Sequence, residues 1–197
     1  MEKLTTFFRE SLNVAGDIYY AGSLLGGSIK AVSKGAYSTE STDYIVLKEI
    51  FQRISLKETD VLVDVGCGKG RVINWWLKKG FKNKIYGVEL NHSIASKTRI
   101  FFKNITNVSI LSGDINDQIP QDATFFYLYN PFEPFITETF KKKLVTLPSA
   151  EIRVVFYNYH HNSTFDRDPD WAINKEKINI PLLGINDEVM AIIKRNF

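Results

Sequence analysis

Apolar positions along the chain alternate between two rhythms. Short, nearly continuous apolar runs at 60–65, 84–90, 107–111, 123–129 and 151–159 read as strands buried on both faces of a sheet. Between them apolar residues return every three or four positions, the helical period. Leu47, Ile50, Phe51 and Ile54 mark a helix over 42–54, and a second amphipathic helix covers 71–79. Asn91 is placed to cap a helix whose face is Ile94, Thr98, Phe101 and Ile105. Ile136, Phe140 and Leu144 define a helix over 133–146. Residues 171–180 and 188–194 read as two late strands with no clear helix between them. This order predicts an α/β fold: a doubly wound, Rossmann-like sheet, mostly parallel, with helices on both faces and an antiparallel edge pair. No repeat or low-complexity linker interrupts the chain.

The strand at 60–65 runs into Val61-Leu62-Val63-Asp64-Val65-Gly66-Cys67-Gly68-Lys69-Gly70, and the helix over 71–79 follows. Strand, glycine turn and helix N-terminus make a nucleotide-type binding corner. The spacing is G-x-G-x-G with an acid two residues ahead, not the G-x-G-x-x-G of dinucleotide sites. A dinucleotide brings an anionic pyrophosphate. A buried Asp64 at the strand end suits a ligand that carries positive charge instead. The stretch resembles motif I of class I S-adenosylmethionine (SAM) dependent methyltransferases; together with the tract over 37–42 and Asn130-Pro131-Phe132 it is loosely similar to small bacterial and some protein-lysine methyltransferases. The resemblance covers about 37–194 and implies the methyltransferase sheet, with SAM as cofactor. It also divides the chain into a helical extension or lid over 1–36 and a methyltransferase domain over 37–197. The extension carries Phe7, Phe8, Leu12, Ile18 and Tyr19 among scattered glycines and reads as one or two short helices near the cofactor mouth.

Ligands of open α/β sheets bind at the carboxyl ends of the strands, which gathers the remaining candidates. Glu89 ends the second strand, where a carboxylate can accept hydrogen bonds from two ribose hydroxyls. The same acid would serve a dinucleotide, so it does not choose between cofactors. Asp114 follows the third strand. The resemblance gives it the adenine amino group, with Ile115 packing on the ring; a turn aspartate is the plain alternative. Cofactor contacts are thus expected at Asp64, Gly66, Cys67, Gly68, Gly70, Glu89, Asp114, Ile115 and Asn130, with Cys67 a small turn residue rather than a nucleophile.

Asn130-Pro131-Phe132 follows the fourth strand and resembles motif IV of amino-group methyltransferases, in which an Asn or Asp precedes two prolines and an aromatic residue. Here there is one proline, and Phe132 sits a position early. The Asn130 oxygen can accept an amine's hydrogens and aim its lone pair, and an aromatic face can stabilise charge developing on nitrogen. These three are the candidate catalytic residues. Tyr37, Thr39, Ser41 and Tyr44 lie where related enzymes line the methionine end of SAM, although Ser41 or Thr42 serves equally as a helix cap. His160, beside Tyr157, Tyr159 and His161 on the same rim, is a candidate base.

Charge changes this picture little. The 25 basic and 22 acidic residues leave a net charge of +3, no strong signal for nucleic acid. One cysteine excludes an intramolecular disulfide and fits a reducing compartment, so a cytoplasmic location is expected. No secretory leader, membrane span or metal-ligand spacing is read. The expected activity is methyl transfer from SAM, to an amino nitrogen on a small molecule or an exposed macromolecular group. A non-catalytic SAM-fold scaffold and a nicotinamide-dependent oxidoreductase are the alternatives. Acceptor and oligomeric state are not legible.

Overall fold

The structure, a computed structural model, describes residues 2–26, 41–129, 133–159, 164–166 and 168–195. The elements run α1 (Glu2–Ala21), α2 (Tyr44–Gln52), β1 (Val61–Val65), α3 (Arg71–Lys78), β2 (Lys84–Glu89), α4 (His92–Phe101), β3 (Val108–Ser112), α5 (Ile115–Gln118), β4 (Phe125–Tyr129), α6 (Pro134–Val145), β5 (Arg153–Tyr157), β6 (Trp171–Ile180) and β7 (Ile185–Arg195). A 3₁₀ turn, Pro181–Leu183, joins the last two strands.

The seven strands order as β3-β2-β1-β4-β5-β7-β6. The first five are parallel; β7 inserts antiparallel between β5 and β6. The expected antiparallel pair is therefore present at the edge. The period of two explains both cores. In β4, Phe125 and Tyr127 point to the face covered by α2, α3 and α4, where Leu47, Ile50, Trp76 and Phe102 pack. Phe126 and Leu128 point to the opposite face, against Ile115 of α5 and Phe140 and Leu144 of α6. No α-helix follows β5 among the described residues. Phe165 and Trp171 fill that space, edge to face with ring centroids 5.2 Å apart. The fifth strand is shorter than the sequence pattern because Asn158 takes a positive φ (58°), which turns the chain out of the sheet.

The N-terminal region differs from the expected short helices: α1 is a single helix of 20 residues. It lies on the protein through a polar stripe. Asp17 is 1% exposed and accepts hydrogen bonds from Arg71 Nε and Nη2, both at 2.9 Å, and from Tyr44 Oη at 2.8 Å. The Leu25 and Gly26 amides also donate to it, each at 2.9 Å. Asn13 and Arg9, a turn and two turns earlier, reach Asp43. Gly16 allows the close approach, since a Cβ there would stand 2.2 Å from the Tyr44 ring. Tyr20 stacks on that same ring.

Burial alone would raise the Asp17 carboxyl. The hydrogen bonds and charge of Arg71, with the Leu25 amide and Tyr44 hydroxyl, hold it below its ordinary value. A carboxylate with a depressed pKa stabilises the fold above its unfolded value and loses that contribution as pH falls through the folded one. Asp17→Ala leaves Arg71 charged, buried and unpaired. Urea unfolding at neutral pH should show a loss of about 3–5 kcal/mol, with the difference from wild type shrinking in acid.

Candidate functional site

The corner between β1 and α3 is built by backbone geometry. Gly66, Gly68 and Gly70 all have positive φ, at 76°, 52° and 84°. Gly70 is doubly constrained. It caps α3 in the left-handed region, and a Cβ there would meet the Phe102 ring at 2.5 Å. The amides of Gly66 and Cys67 both donate to the Val88 carbonyl, at 2.8 and 3.0 Å, which ties the turn to β2. Thr98 of α4 donates to the Gly68 carbonyl at 2.8 Å, and Asn74 donates to that of Gly70 at 3.0 Å.

Glu89 sits under this turn, 4% exposed. Its Oε2 accepts from the Gly68 amide at 3.0 Å and its Oε1 from the Asn91 amide at 2.7 Å. Asn91 in turn caps α4 with its side chain, as its position predicts. The strand-end acid and the glycine turn, 19 residues apart in sequence from Gly70 to Glu89, thus form one hydrogen-bonded unit. Each carboxylate oxygen keeps acceptor capacity beyond its amide.

Asp114 caps α5, its Oδ1 accepting from the Asn116 amide at 2.8 Å. Ile115 is buried among the core residues of the α5–α6 face. Cys67 is buried, and burial together with the Asp64 and Glu89 charges pushes its thiol up, so it stays a neutral packing residue. Ser41 and Tyr44 are held at the corner: Ser41 Oγ donates to the Leu25 carbonyl, and Tyr44 binds Asp17. Tyr157 donates to Glu188, and its ring lies 4.8 Å from that of Tyr129. Tyr159 donates to Asp166 at 3.0 Å. Tyr37, Thr39, Asn130, Pro131, Phe132, His160 and His161 lie outside the described residues.

Several residues at the corner escaped the sequence reading. Lys69 donates to the Gly26 carbonyl at 2.7 Å, and Arg71 Nη1 approaches the Ser41 and Thr42 carbonyls at 3.4 and 3.5 Å. Both ends of the segment that joins α1 to α2 are therefore fastened beside the glycine turn. Thr42, a candidate helix cap in sequence, instead hydrogen-bonds Tyr127 at 2.8 Å, and Asp43 takes the N-cap position of α2. Arg71 is adjacent to the motif, but nothing in the sequence pairs it with Asp17, 54 residues away. Glu188, half-buried, is pushed up by burial, with Arg9 opposing and Asp43 reinforcing.

Asp64 is 3% exposed, and its Oδ2 has no hydrogen-bond partner among the described residues. Burial, with the nearby Glu89 charge, raises its carboxyl from 3.8 to about 8. An orphaned buried oxygen is a place where a donor, or a positive charge that favours the ionised carboxylate, gains most. A raised acid pKa means the folded protein holds a proton that the unfolded chain releases, so this contribution to stability falls as pH rises toward the folded value. Without ligand, wild type should lose about 1.4 kcal/mol per pH unit between about pH 5 and 7 relative to Asp64→Asn, read from urea unfolding at each pH.

No protein-family profile matches the chain, and no curated protein matches it in sequence. Solved structures do resemble it. An RNA methyltransferase from Salinibacter ruber, in complex with S-adenosyl-L-homocysteine, superposes with a TM-score of 0.57 at 21% identity, over 79% of this chain and 92% of that one. A SAM-dependent O-methyltransferase from Thermotoga maritima gives 0.59 at 15% identity, over 81% and 68%. A precorrin 8W decarboxylase from Methanobacterium thermoautotrophicum gives 0.57 at 20% identity, over 81% and 93%. Strand order, inserted antiparallel strand and glycine corner agree with this likeness, and the chain has the fold of the class I SAM-dependent methyltransferases.

Proposed function

We propose that this protein transfers a methyl group from SAM to an acceptor, with an amino nitrogen as the acceptor atom. The observation that carries the reading is the corner itself: the glycine turn, braced by Glu89, stands beside the buried, unsatisfied Asp64. These residues fit SAM. Gly66, Gly68 and Gly70 give the ligand access to the backbone, and Cys67 and Ile115 pack at the margin. Glu89 has lone pairs left for ribose hydroxyls, Asp114 for an adenine amino group, and Asp64 answers positive charge directly or through water. The G-x-G-x-G spacing, with Asp64 ahead of it, departs from the G-x-G-x-x-G that cradles a nicotinamide dinucleotide's pyrophosphate.

When bound, SAM supplies an intrinsically reactive methyl on sulfur. The chain's task is then alignment of the acceptor and exclusion of water. Asn130, Pro131 and Phe132 follow in sequence from β4, the strand that pairs with β1. In this reading the Asn130 oxygen orients the acceptor nitrogen, and Phe132 stabilises the charge that develops on it. Tyr129 and Tyr157 stand at the same strand ends, and Glu188, bound by Tyr157, adds an acid suited to a cationic or amine-bearing group. The catalytic domain spans 37–197, with 1–36 as a helical extension, and a cytoplasmic setting matches the single buried thiol. No helix among the described residues is long and apolar enough to cross a membrane.

Calorimetric titration with SAM, S-adenosylhomocysteine and NAD tests the cofactor. Binding of the first two and not of NAD is expected; binding of neither would leave a non-catalytic scaffold. Glu89→Ala should weaken SAM at least about tenfold, since charge-assisted hydrogen bonds are worth ~1.5–3 kcal/mol each. Asn130→Ala should lower turnover by about 10–100-fold, the scale of one lost orienting group, with SAM affinity changed far less. Equal SAM affinity in wild type and Glu89→Ala would overturn the assignment of the strand-end acid.

A further inference from the structure

The stripe by which α1 meets the protein is Thr5, Arg9, Asn13, Gly16, Asp17 and Tyr20, mostly polar. The opposite face is apolar and in solvent. Leu4, Phe7, Phe8, Leu12, Ile18 and Tyr19 are 41–73% exposed. Surface helices of globular proteins carry these faces the other way round. Beside α1, Leu24 is 61% exposed, and Leu182 of the 3₁₀ turn that packs against this helix is 85% exposed. At ~150–250 Å² per large side chain, this surface totals on the order of 1,000 Å², against ~300–600 Å² for the largest patch on an ordinary monomer.

We propose that the outer face of α1 is a self-association surface, on which a second copy of this chain packs its own α1 antiparallel about a two-fold axis. Three observations select this occupant. The area equals or exceeds the ~800 Å² per partner that a stable interface buries. The face is also self-complementary. With the axis at Ser11, near the middle of a helix ~30 Å long, Leu4 opposes Ile18 of the second copy. Phe7 then opposes Ala15, and Phe8 opposes Val14, so each phenylalanine faces a smaller side chain. The small residue at the axis is already satisfied, since Ser11 Oγ donates to the Phe7 carbonyl at 2.8 Å and its burial orphans no donor. Finally, the charge pattern does not suit a lipid surface. Interfacial helices hold rows of Lys and Arg along a solvent-facing polar side. Here the polar side is turned inward and Arg9 is paired with Asp43. Lys78, over the Tyr19 ring at 5.8 Å, stands at the end of the face, where a polar rim belongs.

The test uses the full-length chain in size-exclusion chromatography with light scattering across the micromolar range, and does not depend on the methyl-transfer reading. Wild type should show twice the 22.6 kDa of one chain. Phe7→Glu and Ile18→Glu should each weaken association by about tenfold or more. Both side chains are exposed in the single chain, so circular dichroism and melting temperature, extrapolated to low concentration, should be unchanged. Ser11→Cys should form a covalent dimer under mild oxidation, whereas wild type, whose single cysteine is buried, should not. A wild type that stays monomeric at every concentration would overturn the proposal. So would a dimer that survives both glutamate substitutions, or one that Ser11→Cys fails to cross-link. A monomer that sediments with phosphatidylserine vesicles, and loses this with Phe7→Glu, would assign the face to a membrane surface instead.

Discussion

The site depends on where the strand order reverses. β1 lies between β2 and β4, and the chain winds outward from it in two directions, first to β2 and β3 and later to β4 and β5. The connections leaving β1 and β4 therefore part at the carboxyl edge, and the crevice between them is where ligands of open α/β sheets bind. The three positive-φ glycines fold β1 into α3 at this point, and Glu89, ending the neighbouring strand, holds the turn by the Gly68 amide. A longer side chain at Gly70 would strike Phe102 and push α4 from the corner.

The N-terminal helix is bound to this corner by polar chemistry. Burying Asp17 and Arg71 carries a desolvation cost that a pair alone often fails to recover. Here the carboxylate gains the Tyr44 hydroxyl and two backbone amides besides the guanidinium, and Arg71 also lies over the Tyr44 ring at 5.2 Å. What the pair provides is geometry. It locks α1, the start of α3 and the residues around Leu25 and Ser41 into one arrangement beside the glycine turn. With its polar stripe committed inward, α1 has to present its apolar residues outward.

Most of the architecture was legible in sequence because both periods are strong. Five short apolar runs gave the parallel strands within a few residues, and Asn91 capped the helix that it was expected to cap. The two late strands were visible as apolar, β-branched stretches without a helical rhythm between them. The glycine motif with its preceding acid marked the corner, and the strand-end position marked Glu89. The orientation of α1 was not legible. Hydrophobic periodicity assumes that the apolar side faces the core, and in this helix the rule is reversed by a buried ion pair and by Gly16 against Tyr44.

The sequence by itself therefore determined what short-range physics controls: the strands, the helices, the positive-φ turn and the acids that β-strands carry to one edge. Only the tertiary structure decided how distant polar groups pair. Asp17 and Arg71 meet across 54 residues, and Thr42 meets Tyr127 across 85. It also decided that Glu89 keeps hydrogen-bond partners while Asp64 Oδ2 has none among the described residues. Such contacts arise because folding removes water from particular atoms, and the raised pKa of Asp64 and the outward face of α1 follow from which atoms find a substitute for that water.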